Sequence, residues 1–301
     1  MLNGLINVYK EPGFTSFDVV AVMRGITGQR KIGHTGTLDP SARGVLPICL
    51  GNATKLCDML NDKKKEYVAT FMLGKSTDTL DDSGTVLEER EVKSTPEDIK
   101  EAAKSFVGGY EQLPPMYSAK WVDGKRLYEL ARQGIEVQRK PVFVDIYEIE
   151  ILDISLPVVK MKVLCGKGTY IRSLCVDIAA KCNELAVMTD LERTATGMFD
   201  LTTARTLDEL TKLKNEGKLS DCVIKTDFVF KDIPALTVRS EYRKVIDNGN
   251  KLYPKMITSG VPFPAMKRVR VYNDEGTFMG IYERVNGENA LKPEKMFLES
   301  N

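Results

Sequence analysis

KIGHTGTLDPSARGVLPICLGNATKL, residues 31–56, reads as a backbone that turns tightly and often. With Gly28 just upstream, it carries Gly33, Gly36, Gly44 and Gly51 together with Pro40 and Pro47, a density that predicts loops rather than regular structure over 28–51. Asp39 stands directly before Pro40, which biases it towards an extended or turn conformation. The glycines on either side let a ligand approach the backbone closely. A carboxylate held on such a turn can serve as nucleophile or base. An aspartate that only initiates a turn is the plainer reading of the same residues.

Upstream, the pattern predicts a helix over Ser16–Thr27, with Ser16 as its cap, Gly28 as its stop and Phe17, Val20, Met23 and Thr27 as its inward stripe. Downstream, residues 65–73 alternate as a strand apolar on both faces. Thr95-Pro96-Glu97-Asp98 opens a helix that Gly108 and Gly109 end. Strands are expected over 142–152 and 158–165. A helix from about Tyr170 follows, with the stripe Ile171, Leu174, Cys175, Ile178, Ala179 and Cys182, and a short one covers 207–215. From Asp232 the chain changes character. Val269–Tyr272, the turn Asn273–Gly276 and Thr277–Arg284 form a hairpin, punctuated by Pro254, Pro262, Pro264 and Pro293. Residues 232–301 are therefore expected to be a small β-rich domain beside a larger domain of residues 1–231.

Composition narrows the chemistry. The chain has 301 residues, 43% of them hydrophobic and 28% charged, as in an ordinary globular protein. No apolar run approaches the roughly 20 residues of a membrane span, and the N-terminus has no leader pattern, so a cytoplasmic protein is expected. The six cysteines form no CxxC pair, disulfides are not expected in a reducing compartment, and Cys175 and Cys182 read as core residues. His34 is the single histidine, which excludes a two-histidine zinc site within the chain. Neither the P-loop nor the GxGxxG fingerprint occurs, so no cofactor and no metal is expected. What chemistry there is falls to carboxylates, Arg, Lys or Tyr. Net charge is only +1, but residues 117–141 hold six basic residues against Asp123, Glu129 and Glu136, interleaved with Tyr117, Trp121 and Tyr128. Such a stretch can grip phosphates and stack on bases, or can be a solvated face.

Three more residues stand out. Arg172 falls in the first turn of its helix, where the backbone already presents partial positive charge, and at the margin of the apolar stripe. A carboxylate facing it would resolve both conflicts, though sequence alone does not name Asp39 as that partner. Tyr67 shares a strand face with Ala69 and Phe71, as a core residue would, or as a ring on which a base stacks. His34 is a turn residue or an RNA contact.

Taken together these segments resemble the bacterial tRNA pseudouridine-55 synthase family, of the TruB type. The resemblance runs almost end to end: Lys10–Ser16 at the start, residues 31–56, KKEYVATFMLGKSTDTLDDSG at 64–84, QLPPMYSAKWVDGKRLYELARQG at 112–134, GTYIRSLCVDIA at 168–179 and LERTATGMF at 191–199. Glu11 stands where the family usually has Pro, and Ile178–Cys182 where it has a Gly-containing turn. The resemblance implies an α+β fold, with a central mixed, mostly antiparallel sheet flanked by helices and loops and a C-terminal PUA-like RNA-binding domain. It implies isomerisation of uridine 55 in the tRNA T loop, by base flipping and Asp-dependent C-glycoside formation. Asp39 is then the catalytic carboxylate and Arg172 its ion-pair partner, Tyr67 stacks on the target base, and Leu191 floors the pocket. His34 enters the T loop, Lys10 supports the site, and the insertion at about 115–142 grips RNA. The implied partner is the tRNA T-stem-loop, for a monomer with no membrane and no obligate protein partner. An RNA-guided synthase subunit and a tRNA-folding chaperone are the rival and the accompanying roles.

Overall fold

A computed structural model describes residues 1–122, 124–258, 263 and 267–298. Asp123, Pro262 and Pro264 lie outside the described residues. In chain order β1 (Gly4–Lys10) leads to α1 (Ser16–Thr27), β2 (Ile32–His34), β3 (Arg43–Leu50), α2 (Cys57–Asn61) and β4 (Lys65–Leu73). Then come β5 (Lys75–Thr77), β6 (Val86–Glu89), α3 (Pro96–Lys104), β7 (Tyr110–Gln112), β8 (Trp121–Val122), β9 (Lys125–Arg126), α4 (Leu127–Arg132) and β10 (Val142–Val144). The body closes with β11 (Ile146–Ser155), β12 (Val158–Cys165), α5 (Ile171–Lys181), β13 (Ala186–Thr196), β14 (Phe199–Asp200) and α6 (Leu207–Asn215). The tail holds β15 (Ala235–Thr237), α7 (Arg243–Asp247), β16 (Arg268–Tyr272), β17 (Phe278–Arg284) and β18 (Leu291–Met296).

Among the described residues the central sheet has eight strands in the order β1-β3-β13-β4-β12-β11, with β2 beside β3 and β14 beside β13. Its pairings are antiparallel except one. β13 meets β3 in parallel over just two residue pairs, Glu192 with Arg43 and Arg193 with Gly44. That joint unites two halves. In one, β1 and β3 pack against α1 and α6 through Ile6, Val8, Val20, Met23, Leu46, Ile48 and Leu210. In the other, β4, β12 and β13 pack against α3 and α5 through Phe71, Ile99, Met161, Leu174 and Ile178.

Residues 28–51, expected as loop from their glycines, instead contain β2 and β3. β3 is a strand buried along almost its whole length. It carries glycine because a Cβ on Gly44, whose φ is +110°, would run into the backbone of Arg193. It tolerates Pro47 because β13 pairs with residues 43–44 of that edge and β2 with 48–50, leaving the proline's missing N–H in the gap between them. In α1 the cap is Thr15, not Ser16: Thr15 and Asp18 form a capping box. The inward residues are Val19, Val20, Met23 and Ile26, while Phe17 is exposed. Strand β4 buries Tyr67, Ala69, Phe71 and Leu73 and leaves Glu66, Val68, Thr70 and Met72 half-buried, so it is buried on one face rather than two. α3 stops at Ser105, before Gly108. α5 ends on Cys182, a half-buried cap rather than a core residue, and Asn183 takes the left-handed φ of +61° that a glycine would otherwise supply.

The tail forms a four-stranded sheet, β15-β16-β17-β18, around Leu236, Ile246, Val269, Val271 and Tyr282. Its hairpin turns at Asn273–Gly276, where the Asn273 side chain accepts from Glu275 and Thr277 N–H. The sheet also shares a cluster with the body: Ile281, Phe297 and Phe230 pack on Leu5, Val45 and Cys49, the face of β1 and β3 opposite α1. No helix among the described residues is long and apolar enough to cross a membrane.

Candidate active site

The two-pair joint decides where the chemistry-bearing residues meet. Asp39 sits in the loop between β2 and β3, and Arg172 comes from the first turn of α5 in the other half. Their side chains pair, Arg172 Nε to Asp39 Oδ2 at 2.9 Å, with Arg172 5% exposed and Asp39 35% exposed. The carboxylate is thus held from the protein side and reachable from the solvent side. The expected partnership exists, but not as a two-pronged fork on Asp39. Arg172 Nη1 faces Asp81 Oδ2 at 3.5 Å and donates to the Thr79 carbonyl at 2.8 Å. Arg172 Nη2 donates to the Tyr117 carbonyl at 2.8 Å. One guanidinium therefore ties together the Asp39 loop, the 77–84 turn and the root of the 115–142 insertion. These anions and carbonyls also answer the conflict between a cation and a helix N-terminus.

Asp81 is a residue sequence reasoning passed over. It is buried, and its Oδ1 accepts from the Thr79 and Ser83 hydroxyls and the Ser83 N–H, while Thr77 Oγ donates to its carbonyl. The signal was present in TDTLDDSG, where hydroxyl residues flank the acid at turn spacing. Gln112 was passed over as well. Its Oε1 accepts from Tyr170 N–H at 2.8 Å and its Nε2 donates to the Tyr170 carbonyl at 3.0 Å, so a side chain from β7 pins the residue on which α5 begins.

Lys10 is fully buried at the end of β1 and donates to the carbonyls of Glu11, Pro40 and Ala42. It fastens the segment just after Asp39. Burial pulls its pKa down to about 8, an effect that nearby Asp39 opposes. On the other side of Asp39, Ser16 Oγ accepts from Leu38 N–H at 3.0 Å. Tyr67 and Leu191 lie in one cluster with Leu38, each 6% exposed or less. The register of β4 against β13 sets Leu191 opposite Ala69 and Arg193 opposite Tyr67, so all four share one face of the sheet. Burial raises the pKa of the Tyr67 hydroxyl. His34 ends β2 and is more peripheral. Its Nδ1 accepts from Gly36 N–H at 3.4 Å, burial lowers its pKa, and its ring meets exposed Phe17 edge-to-face at 5.2 Å. A neutral imidazole backed by an exposed phenyl presents an aromatic rim beside the loop.

In the insertion, Arg126 lies over the Trp121 ring at 5.3 Å and Arg132 over Tyr128 at 5.5 Å, and Trp121 is 62% exposed. Cations and rings alternate on an open surface. A cleft of about 870 Å³ lies elsewhere, between the start of α3 and the end of α5, lined by Arg90, Lys93, Asp98, Glu101, Lys181 and Glu184 among others. Its mixed charges form a solvated notch, and it contains none of the site residues above.

Residues 24–171 match the TruB family pseudouridylate synthase N-terminal domain. A protein of Alkaliphilus oremlandii (strain OhILAs) named tRNA pseudouridine synthase B is 47% identical over 271 residues, 90% of each chain. One of the same name from Clostridium perfringens (strain 13 / Type A) is 45% identical over 301 residues, 99% of this chain and 100% of that one. A solved Cbf5-Nop10-Gar1 complex contains a chain of similar fold, with TM-score 0.72 and 26% identity over 98% of this chain and 85% of that one. Sequence likeness of this extent, on a shared fold, makes the chain a member of the TruB family of pseudouridylate synthases.

Proposed function

We propose that the protein takes tRNA as its substrate, flips uridine 55 of the T loop out of its stack and isomerises it to pseudouridine, with Asp39 as the catalytic carboxylate. The observation that carries this reading is the Asp39–Arg172 pair, its arginine buried and its carboxylate open to solvent on one side, backed by Tyr67 and Leu191. A uracil cannot turn within a base stack. It must leave the helix at a cost of a few kcal/mol and be received by a ring and an apolar floor. Tyr67 supplies the ring and Leu191 the floor. Asp39 faces C1′, where charge changes during the reaction. Arg172 fixes the angle of that carboxylate, and Lys10 fixes the loop that bears it. His34, with Phe17 behind it, enters the T loop and keeps it open. The 115–142 insertion grips the RNA backbone, and residues 232–301 act as a PUA-like RNA-binding domain beside a catalytic domain of residues 1–231. The protein works as a cytoplasmic monomer, without a guide RNA or an obligate protein partner.

The test is to incubate the purified chain alone with an unmodified tRNA transcript and to map pseudouridine by position. Conversion at position 55 is expected. Conversion only at other positions, or only with added protein or guide RNA, overturns the reading.

A further inference from the structure

Among the described residues Arg193 is the largest fully buried side chain, yet it forms no ion pair there. Its Nε donates to the Val45 carbonyl at 2.7 Å, inside the gap that β13 and β2 leave on the edge of β3, and its Nη1 reaches the Thr37 carbonyl at 3.4 Å. Among the described residues its Nη2 has no hydrogen-bond partner, and the guanidinium stands beside the Tyr67 hydroxyl, whose pKa it lowers against the effect of burial. Two further buried cations stand near it. Lys10 donates only to carbonyls, as does Lys65, to those of Asn61 and Lys63. A Cβ placed on Gly36 would lie 3.8 Å from both Arg193 Nη1 and Lys65 Cε, so that loop residue separates the two. Arg172 already engages both Asp39 and Asp81. Among the described residues, three buried positive charges around the Asp39 loop thus make no ion pair of their own.

Burying a charge without a counter-ion is costly. Carbonyl dipoles offset part of that cost. Holding the loop in place does not by itself require three formal charges, since neutral donors could cap the same carbonyls. An anion arriving with the substrate would use the surplus. The inference rests on the proposed reaction, in which the C1′–N1 bond breaks with its electron pair passing to N1. The detached ring then carries a full negative charge, and the sugar left electron-poor faces Asp39. When C5 of the turned ring bonds to C1′, the pair returns to the sugar, the proton displaced from C5 leaves, and N1 gains one. Uridine and its product are isomers, so no oxidant or other reagent is consumed.

We propose that Arg193, seconded by Lys10 and Lys65, is the electrostatic wall that stabilises the uracil anion during its transfer. It acts through space, from behind Tyr67, and does not touch the base. Fixed charges in a site shielded from water interact far more strongly than the same charges in solvent, and they need no reorganisation when the bond breaks.

The experiment compares single-turnover glycosidic cleavage on tRNA carrying uridine with cleavage on tRNA carrying 5-fluorouridine at the target position. Fluorine withdraws electrons, so the expelled ring is a weaker base and depends less on the wall. Arg193→Met is expected to slow cleavage of uridine by about tenfold or more, less than the roughly 10²-fold of losing a donor in direct contact with a developing anion, and to slow the fluorinated substrate several-fold less. Arg193→Lys, which keeps the charge, restores most of the uridine rate. Lys65→Met, whose hydrogen bonds lie outside the 37–42 loop, shows the same bias at smaller size and serves if Arg193→Met does not fold. Equal slowing of the two substrates, or a Lys variant as slow as Met, overturns the proposal. Wild-type conversion is measured first: its absence would instead sink the reading of the function.

Discussion

Arg172 spends one planar group on Asp39, Asp81 and the carbonyls of Thr79 and Tyr117. A lysine carries a point charge and cannot span those four directions. Arg172→Lys is expected to lower kcat on tRNA by about 10²-fold, in keeping with charged hydrogen bonds of roughly 1.5–3 kcal/mol each, and to leave tRNA affinity nearly unchanged. Near-normal turnover would remove Arg172 from the positioning of Asp39. Asp39→Asn keeps the shape of the loop and is expected to abolish conversion while a filter-binding assay still registers tRNA. At this scale the sequence was legible where a residue conflicted with its own surroundings. Arg172 sat wrongly for a surface cation, and that conflict pointed to a buried anion. Asp81 and Arg193 raised no such conflict. An acid in a turn and an arginine in an alternating strand are ordinary locally, and only the closing of the sheet makes them unusual.

Elements whose signals are local were readable, and those whose reasons lie far along the chain were not. α3 declares itself through Thr95, Pro96 and Asp98, and α6 through the box of Thr206 and Glu209. β3 does not, because its glycine is there to admit the backbone of Arg193, about 150 positions away. The start of α5 is set in the same non-local way, by Gln112. Gln112→Ala would leave the Tyr170 N–H and carbonyl without that partner and free the Tyr110 hydroxyl, which donates to Asp177. A loss of about 1–3 kcal/mol in chemical denaturation is expected. Because Arg172 rides on that turn, kcat should fall while KM holds. A variant that loses stability with kcat intact would confine Gln112 to a structural role.

Across the whole molecule, buried lysines tie stability to pH. Lys10 and Lys65 each have a pKa drawn down to about 8 by burial, against 10.5 when exposed. Between those limits the unfolded chain binds more protons than the folded one, so stability rises with pH from about 8 to 10.5 and is lost again as pH falls through 8. The gain is bounded by about 3 kcal/mol per lysine. Urea denaturation at pH 7.5 and 9.5 should show the rise, and Lys65→Met should flatten it. An unchanged slope in that variant would mean Lys65 is not buried as a cation. RNA binding is the other global property. With net charge of only +1, attraction for phosphates is local to patches such as 120–140. Affinity for tRNA should fall steeply with salt, and Arg126→Ala should lower the log–log slope by about one if its guanidinium releases one counterion. An unaltered slope would place that arginine off the backbone.

The narrow parallel seam between β3 and β13 has a consequence for biosynthesis. Asp39 is translated long before Arg172 and Arg193. A nascent polypeptide can pair β1 with β3 and lay α1 against them while Asp39 still lacks the Arg172 guanidinium, whereas β4 must wait for β12 and β13. The Asp39–Arg172 pair therefore closes in a late docking event, once β12, α5 and β13 have been made.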